Sequence, residues 1–161
     1  ENTLVDVVRR LASEVRILVH VVAQCTGPSI DQDDRFIAER IHSQLVRLDV
    51  PTAPIIEFNN ASQLTKFYNK MSVMIGTRMH SGILALSTGV PVVLIGYQPK
   101  ACGMMEMMHL SRYCISIDTL RTDDLYVLVS DVLNNHDTLV HHITQRVQEL
   151  RSQLDQLNRW M

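Results

Sequence analysis

Short apolar segments alternate with helix-periodic segments along this chain, and that alternation constrains the fold more than any other feature. Residues 15–23 are β-branched and almost continuously apolar, which is typical of a strand buried on both faces. Further strands are predicted at 54–58, 72–75, 90–95 and 113–117. Helices are predicted at 3–13, 33–48, 61–70, 79–88, 100–109, 122–134 and 138–159. The alternation favours a sheet of parallel strands joined by helices.

This pattern predicts an α/β fold, in the form of a single Rossmann-like domain over residues 1–161. Its sheet is expected to be mostly parallel and five-stranded, with helices on both faces. A length of 161 residues suits one domain. In such folds ligands bind at the carboxyl ends of strands, beside the N-termini of the following helices. Five loops are therefore candidate binding positions, at residues 24–29, 58–62, 76–80, 96–100 and 118–122.

The charge balance limits the classes of partner. Fifteen lysine and arginine residues against 17 aspartate and glutamate residues give a formal net charge of -2, which argues against non-specific nucleic-acid binding. No apolar run approaches the ~18 residues needed to cross a bilayer, so no membrane span is predicted. The first residues contain neither an initiator Met nor a signal peptide. A cytoplasmic location is expected, and the chain is expected to be a piece of a longer protein.

The cysteines and histidines predict no metal site. Cys25, Cys102 and Cys114 are widely spaced and form no CxxC pair, so neither a zinc site nor a redox dithiol is expected. Three thiols of this kind fit a reducing compartment. A group of histidines near the C-terminus is expected on a solvated helix surface, because it lacks cysteine or carboxylate partners at ligand spacing; it comprises His136, His141 and His142.

The most informative stretch for chemistry is residues 75–82. Arg78 and His80 stand where a predicted strand has just ended and a helix begins, after the turn Gly76-Thr77. A helix N-terminus offers unpaired N–H groups and the positive end of the helix dipole. A guanidinium beside them makes a site for a carboxylate or phosphate. The alternative is that Arg78 forms a surface salt bridge and His80 only packs.

Two further loops could contribute to the same site. Lys100 follows the next predicted strand and would lie near the same edge of the sheet as Arg78; two cations there imply an anion with more than one charged group. Gln24 and Gly27 belong to a turn after the first predicted strand. An exposed lysine, and aspartates at 33–34 that only cap a helix, are the competing interpretations.

Two apolar patterns have structural interpretations. The methionines within residues 103–108 are expected to fill the core, although thioethers also line binding surfaces. In the helix at 138–159 a seam of apolar residues repeats with alternating spacings of four and three, consisting of Ile143, Val147, Leu150, Leu154 and Leu157. The seam could pack on the domain's own sheet, on a further domain, or on a second copy of the chain to form a homo-oligomer.

Taken together, these segments resemble the polysaccharide pyruvyl transferase family. The resemblance rests on Gly76-Thr77-Arg78-Met79-His80-Ser81-Gly82 and the residues to 86, on Gly89-Val90-Pro91-Val92, and on Gly96-Tyr97-Gln98-Pro99-Lys100, with support from residues 24–35. It covers roughly residues 20–110. It implies the transfer of a pyruvyl group from phosphoenolpyruvate to two hydroxyls of a sugar, as a ketal, in bacterial exopolysaccharide biosynthesis.

The resemblance also implies roles for individual residues. Arg78 would clamp phosphoenolpyruvate, and His80 would be a second donor to the same ligand or the general acid, so both are candidate catalytic residues. Lys100 would give electrostatic support. The remaining candidates for substrate binding are Gly76, Thr77, Gln24 and Gly27. The resemblance implies no metal and no cofactor. Phosphoenolpyruvate would be a co-substrate.

Family members resemble two Rossmann-like domains facing each other in the manner of GT-B enzymes. This chain matches the C-terminal, donor-binding half, and the missing N-terminal domain would help to bind the carbohydrate acceptor. The isolated chain is therefore expected to be inactive or nearly so. Two other functions stay open: the C-terminal nucleotide-sugar-binding domain of a GT-B glycosyltransferase, and a non-catalytic carbohydrate-binding or assembly module.

Overall fold

The computed structural model describes residues 1–27, 33–97 and 99–158. The helices are α1 Asn2–Glu14, α2 Arg35–Arg47, α3 Ala61–Tyr68, α4 Met79–Leu86, α5 Pro99–Met107, α6 Thr122–Asn134 and α7 His136–Asn158. The strands are β1 Met74–Gly76, β2 Val92–Gly96 and β3 Cys114–Ser116. Two compact units are present: Glu1–Asn59 with Arg121–Tyr126, and Asn60–Leu120 with the chain from Val127 onward.

The second unit contains the sheet. Its three strands lie in the order β1-β2-β3, and both neighbouring pairs are parallel. Gly76 of β1 is in register with Leu94 of β2, and Gly96 of β2 is in register with Ser116 of β3. The central strand β2 is buried at every residue, as its uninterrupted apolar sequence predicts. A mixed α/β fold with a parallel sheet is thereby confirmed.

The helices of the second unit form where the apolar periodicity predicts them. Asn60 caps α3, since its Oδ1 accepts a hydrogen bond from the Gln63 backbone N–H at 3.0 Å. Gly89 follows α4 with a φ of 87°, a conformation that suits glycine. The methionines of α5 and the residues just after it mostly fill the core, as expected: Met104, Met105 and Met108 are buried, and Met107 is exposed.

The prediction of five strands is wrong for the described residues, which contain three. Residues 15–23 form a single parallel bridge, Val19 to Thr52, held by hydrogen bonds of 2.8 Å from Val19 N to Pro51 O and from Ala53 N to Val19 O. Residues 54–58 form no strand. In this register the bridge before Val19 would need a donor at position 51, and Pro51 has no N–H, so the ladder cannot extend in that direction.

The first unit is built around a small core between α1 and α2. Val5, Leu45 and Val50 are its buried members, with partly buried residues around them. Several large apolar residues of α2 and its C-cap do not face this core, because Phe36, Ile37 and Leu48 are exposed. The stripe that faces inward instead runs through Ala38, Ile41 and Leu45, at the spacing of one helix face.

Residues 121–126 join the first unit through polar contacts with α1. Arg10 Nη1 lies 3.2 Å from Asp123 Oδ1, and the Arg10 guanidinium lies over the Tyr126 ring, 3.6 Å from its centroid. The Tyr126 hydroxyl donates to Glu14 Oε2. These contacts explain why the first turn of α6 is fixed to α1.

The apolar seam of α7 is buried only near its N-terminal end. Ile143 is fully buried, whereas Leu154 and Leu157 are 59% and 62% exposed. The helix as described ends at Asn158, and residue 159 of the predicted helix lies outside the described residues. Across the described ranges, no helix combines the length and apolar character that a bilayer span requires.

Candidate functional site

The carboxyl ends of β1 and β2 bring the two predicted cationic loops to one edge of the sheet. Both strands run in the same direction and pair in register. Each is followed by a helix that starts three residues later: α4 after Gly76 and α5 after Gly96. Arg78 therefore lies on the first loop, and Lys100 lies in the first turn of the helix after the second. Gln98, between them in sequence, lies outside the described residues.

Arg78 is the N-cap residue of α4. Its backbone is extended, with φ −105° and ψ 129°, and its carbonyl accepts a hydrogen bond from Gly82 N at 3.3 Å. The N–H groups of Met79, His80 and Ser81 precede this first bond of the helix, so they have no partner within it. They form the positive end of the α4 dipole at Arg78, a residue that is partly buried.

The other candidates of this loop face solvent to different degrees. Thr77 and His80 are exposed, and so is Lys100. Exposed groups of this kind are accessible to a ligand in solution. Gly76 is buried in β1, where a Cβ would meet Leu94 Cδ1 at 3.5 Å, an ordinary contact distance. Packing among the described residues therefore does not require a glycine at position 76.

Gly82 has a packing role between α4, β2 and α5. A Cβ at this position would lie 3.1 Å from Met104 Cε and 3.4 Å from Leu94 Cδ1. The 3.1 Å distance is tighter than an ordinary contact, so the end of the Met104 side chain would have to shift by a few tenths of an ångström to admit a Cβ, which glycine avoids. This packing helps to position the N-terminus of α4 beside the carboxyl end of β1.

A buried hydrogen bond behind the loop was not predicted. Tyr68 at the end of α3 is 3% exposed and Ser81 in the first turn of α4 is 5% exposed, and their side chains are hydrogen-bonded. Burial raises the pKa of the Tyr68 phenol, and the bond to Ser81 partly opposes that change. The pair connects α3 to the start of α4. No spacing in the sequence links positions 68 and 81.

The stretch from Gln24 to Arg35 lies in the first unit. Asp34 Oδ2 accepts from Cys25 N at 2.9 Å, and Asp34 N donates to Cys25 O at 2.8 Å. The buried Asp33 carboxylate accepts from the Arg35 backbone N–H at 2.9 Å and from its guanidinium at 2.6 to 3.0 Å. The side-chain hydrogen bond from Arg35 lowers the pKa of Asp33. Of the two aspartates expected to cap α2, Asp33 contacts its first turn, whereas Asp34 bonds back to the loop.

Gln24 is the remaining candidate with a distinctive environment. Its amide Oε1 is buried and accepts no hydrogen bond from the residues that the structure describes. A buried acceptor without a donor costs free energy on the order of 1–3 kcal/mol, so such an atom calls for a partner. Gly27 is partly buried, and residues 28–29 of the same predicted loop lie outside the described residues.

The candidate residues thus fall into two sets. Gly76, Thr77, Arg78, His80 and Lys100 are collected at one sheet edge of the second unit, and Gln24 and Gly27 are in the first unit. No group of three or more metal-ligating side chains occurs within residues 1–27, 33–97 and 99–158.

One of the C-terminal histidines makes a tertiary contact. His142 Nε2 lies 3.0 Å from the Met108 carbonyl oxygen, a hydrogen-bonded contact that the sequence did not suggest.

The fold also brings two widely spaced cysteines together. Cys102 of α5 and Cys114 of β3 have their Sγ atoms 2.7 Å apart. Their sequence separation of 12 gave no sign of this contact, because it depends on α5 packing against the strand that follows it. Cys25 lies in the first unit.

Comparison with known proteins gives a family and a relative. The sequence profile described as polysaccharide pyruvyl transferase matches residues 4–99. The amylovoran biosynthesis protein AmsJ of Erwinia amylovora is 28% identical over 134 residues, which are 83% of this chain and 32% of AmsJ. The chain therefore spans about a third of the length of this curated relative. None of the solved structures matches the chain.

Proposed function

This chain belongs to the polysaccharide pyruvyl transferase family, and from that premise we propose that it binds phosphoenolpyruvate, the donor of the pyruvyl group. The observation that supports the proposal is that Arg78, the N-terminus of α4 and Lys100 all follow the carboxyl ends of two paired parallel strands. Phosphoenolpyruvate has a phosphate ester and a carboxylate attached to the same carbon, C2. Two cationic positions and a helix dipole match such a doubly anionic ligand.

Arg78 is the main anion clamp in this proposal. A guanidinium binds a carboxylate or a phosphate through two parallel N–H bonds, whereas the Lys100 ammonium acts as a point charge. The N–H groups of the first turn of α4 add donors that need no reorganisation, because the helix holds them in place. Arg78 therefore orients one anionic group, and Lys100 neutralises charge on the other.

His80 provides the proton in the proposed reaction. The methylene carbon of phosphoenolpyruvate takes a proton and becomes a methyl group, which leaves an oxocarbenium-like centre at C2. One sugar hydroxyl attacks C2 and the C2–O bond to phosphate breaks. A second hydroxyl attacks the same carbon to close the ketal. The two hydroxyl protons balance the one taken up by the methylene and the one that leaves with phosphate or to solvent.

The carbohydrate acceptor is a sugar of an exopolysaccharide in this proposal. Support comes from AmsJ, whose name assigns it to amylovoran biosynthesis. Gln24 and Gly27 stay candidates for substrate binding. Because the chain covers 32% of AmsJ, the rest of the protein, in a GT-B-like arrangement, would supply most acceptor contacts. Activity then requires the full-length protein. A cytoplasmic location and self-association through α7 stay predictions.

Calorimetric titration of the 161-residue chain with phosphoenolpyruvate tests the donor site. We expect saturable binding that weakens about 10- to 100-fold in Arg78→Ala, the loss that corresponds to one charge-assisted bidentate contact, and less in Lys100→Ala. Lys70→Ala is the matched control, because it removes one exposed cation that lies before β1, at the opposite end of that strand from Arg78.

UDP serves as the competing ligand in the same titration. Binding of UDP without phosphoenolpyruvate would replace the proposal with a nucleotide-sugar glycosyltransferase. If neither ligand binds the chain, the titration is repeated with the full-length protein. The assignment of this site would be wrong if the full-length protein also bound no phosphoenolpyruvate. It would also be wrong if Arg78→Ala left the binding unchanged.

A further inference from the structure

Cys102 and Cys114 form a pair of thiols that the proposed pyruvyl transfer does not use. Cys102 is exposed in the first turns of α5, and Cys114 is partly buried as the first residue of β3. Their Sγ atoms are 2.7 Å apart. A disulfide bond has an S–S length of about 2.05 Å, so the two sulfurs need to approach by less than ~1 Å to bond.

We propose that Cys102 and Cys114 are a site of reversible oxidative modification, at which a disulfide-class oxidant converts the two thiols into an intramolecular disulfide. The bond would join α5 to β3 within the second unit. Disulfides in proteins of reducing compartments are usually transient and redox-sensing. This inference concerns the thiol pair alone and does not depend on the proposed function.

The surroundings of the pair are compatible with both redox states. Gly96, at the end of β2, lies beside the sulfurs: a Cβ there would meet Cys114 Sγ at 3.4 Å and Cys102 Sγ at 3.5 Å. Both are ordinary contact distances, so the two sulfurs lie directly beside the backbone at the end of β2. Cys25 belongs to the first unit, and its loop is held by Asp34. One particular pair is thus selected from three cysteines.

The different exposures of the two thiols suit different roles. Cys102 would attack the oxidant, and Cys114 would resolve the mixed disulfide. Cys102 is exposed and reaches an oxidant directly. Burial, followed by the hydrogen bond and the charge of Cys102, raises the pKa of Cys114 to about 12. Cys114 is therefore a poor first nucleophile.

The reaction balances with glutathione disulfide as the oxidant. The Cys102 thiolate attacks one sulfur of glutathione disulfide, forms a mixed disulfide and releases one glutathione thiolate. Cys114 then loses its proton and attacks Cys102 Sγ, which forms the Cys102–Cys114 bond and releases the second glutathione. The protein loses two hydrogens and two electrons, and the oxidant is reduced to two glutathione thiols.

Intact-mass analysis and thiol counting on the full chain test the proposal. The reduced protein is incubated with glutathione disulfide and then digested with trypsin without reduction. Cleavage after Lys100, Arg112 and Arg121 places the two cysteines on separate peptides, 101–112 and 113–121. We expect the protein to keep one thiol of three, to lose the mass of two hydrogens, and to yield these two peptides joined. Dithiothreitol should restore all three thiols.

Single-cysteine variants separate the roles. Cys25→Ser should form the same disulfide at the same rate. Cys114→Ser should accumulate glutathione on Cys102, because no resolving thiol remains, whereas wild type should not. A lasting glutathione adduct on wild-type Cys102 would overturn the proposal, as would three unreacted thiols, a bond to Cys25, or covalent dimers on a non-reducing gel.

Discussion

The Tyr113 hydroxyl donates a 2.6 Å hydrogen bond to Asp131 Oδ2, which joins the residue before β3 to α6. The same carboxylate oxygen lies 3.0 Å from Arg112 Nη2, and its other oxygen accepts from Asn135 Nδ2 at 3.2 Å. Tyr113 is 4% exposed. Burial, and to a smaller extent the bond to the Asp131 carboxylate, raises the pKa of Tyr113 to about 12.

We expect this bond to make stability fall at high pH. The phenol has an ordinary pKa of 10.0 in the unfolded chain and about 12 in the folded one, so the folded state holds the proton more tightly. Its contribution is complete below pH 10 and is lost as the pH rises towards 12. Tyr113→Phe should lower the free energy of unfolding by about 1 kcal/mol at pH 7.

Denaturant unfolding at a series of pH values checks this. The difference between wild type and Tyr113→Phe should shrink above pH 10, because only wild type loses the contribution of this phenol. Tyr97→Phe, an exposed tyrosine after β2, is the matched control and should parallel wild type. The assignment would be contradicted if the difference in unfolding free energy between wild type and Tyr113→Phe stayed constant from about pH 7 to about pH 11.5.

Two helical glycines should respond oppositely to a larger side chain. Gly103 in α5 has no atom within 4 Å of the position of a Cβ, so Gly103→Ala should raise the free energy of unfolding by roughly 0.5–1 kcal/mol through its helix propensity. Gly82→Val should lower it by about 1–3 kcal/mol, because the new methyl groups meet Met104 and Leu94. Urea unfolding with comparison of the midpoints measures both, and a stabilising Gly82→Val would refute the close packing of α4.

Arg146 should stabilise the end of α5. Its Nε donates to the Met107 carbonyl at 2.9 Å, at the negative end of the α5 dipole, and its Nη1 lies 2.9 Å from Glu149 Oε2. The arginine side chain is 17% exposed. Arg146→Ala should lower the free energy of unfolding by about 1–2 kcal/mol. Arg151→Ala, at an exposed position of the same helix, should change it by less than about 0.5 kcal/mol.

An NMR titration of Glu149 gives an independent readout of the same variant. The hydrogen bond from Arg146 is the largest cause of the lowered pKa of Glu149. In Arg146→Ala that pKa should move back up towards its ordinary value, whereas Arg151→Ala should leave it lowered. An unchanged pKa in Arg146→Ala would show that the ion pair is not formed in solution.

His80 should affect turnover more than donor binding in the full-length protein. If it supplies the proton to the methylene carbon, His80→Asn should lower kcat by about 10²- to 10⁴-fold with a small change in the dissociation constant for phosphoenolpyruvate. His141→Asn is the control, since His141 is exposed on α7. Phosphate release with a sugar acceptor measures turnover. Equal losses of binding and turnover would instead assign His80 to ligand binding alone.

The second unit is where sequence reasoning succeeded, and the physical reason lies in local signals. The apolar run before Gly96 is buried at every residue, and the turns at 76–78 and 87–89 end or begin their elements within two residues of the predicted positions. Periodicity, caps and turn residues act between near neighbours in sequence. The parallel sheet and the loops at its carboxyl edge could therefore be predicted.

The first unit shows the limit of the same signals. Residues 15–23 have the composition of a strand, but a strand also needs a partner that donates and accepts along its length. In the partner segment Pro51 has no N–H to donate, so the ladder cannot extend before Val19, and a single bridge forms where a strand was predicted. The inward stripe of α2 likewise depends on what α1 offers it, which the periodicity of α2 alone does not contain.

The sequence by itself determined the family, the α/β class and the positions of Arg78, His80 and Lys100 after predicted strands, because these properties are carried by residue types at short spacing. Only the tertiary structure decided which distant side chains meet: Tyr113 with Asp131, Tyr68 with Ser81, and Cys102 with Cys114. Those pairs are 12 or more residues apart in the chain. Contacts across such separations arise from packing of whole elements, and no local pattern records them.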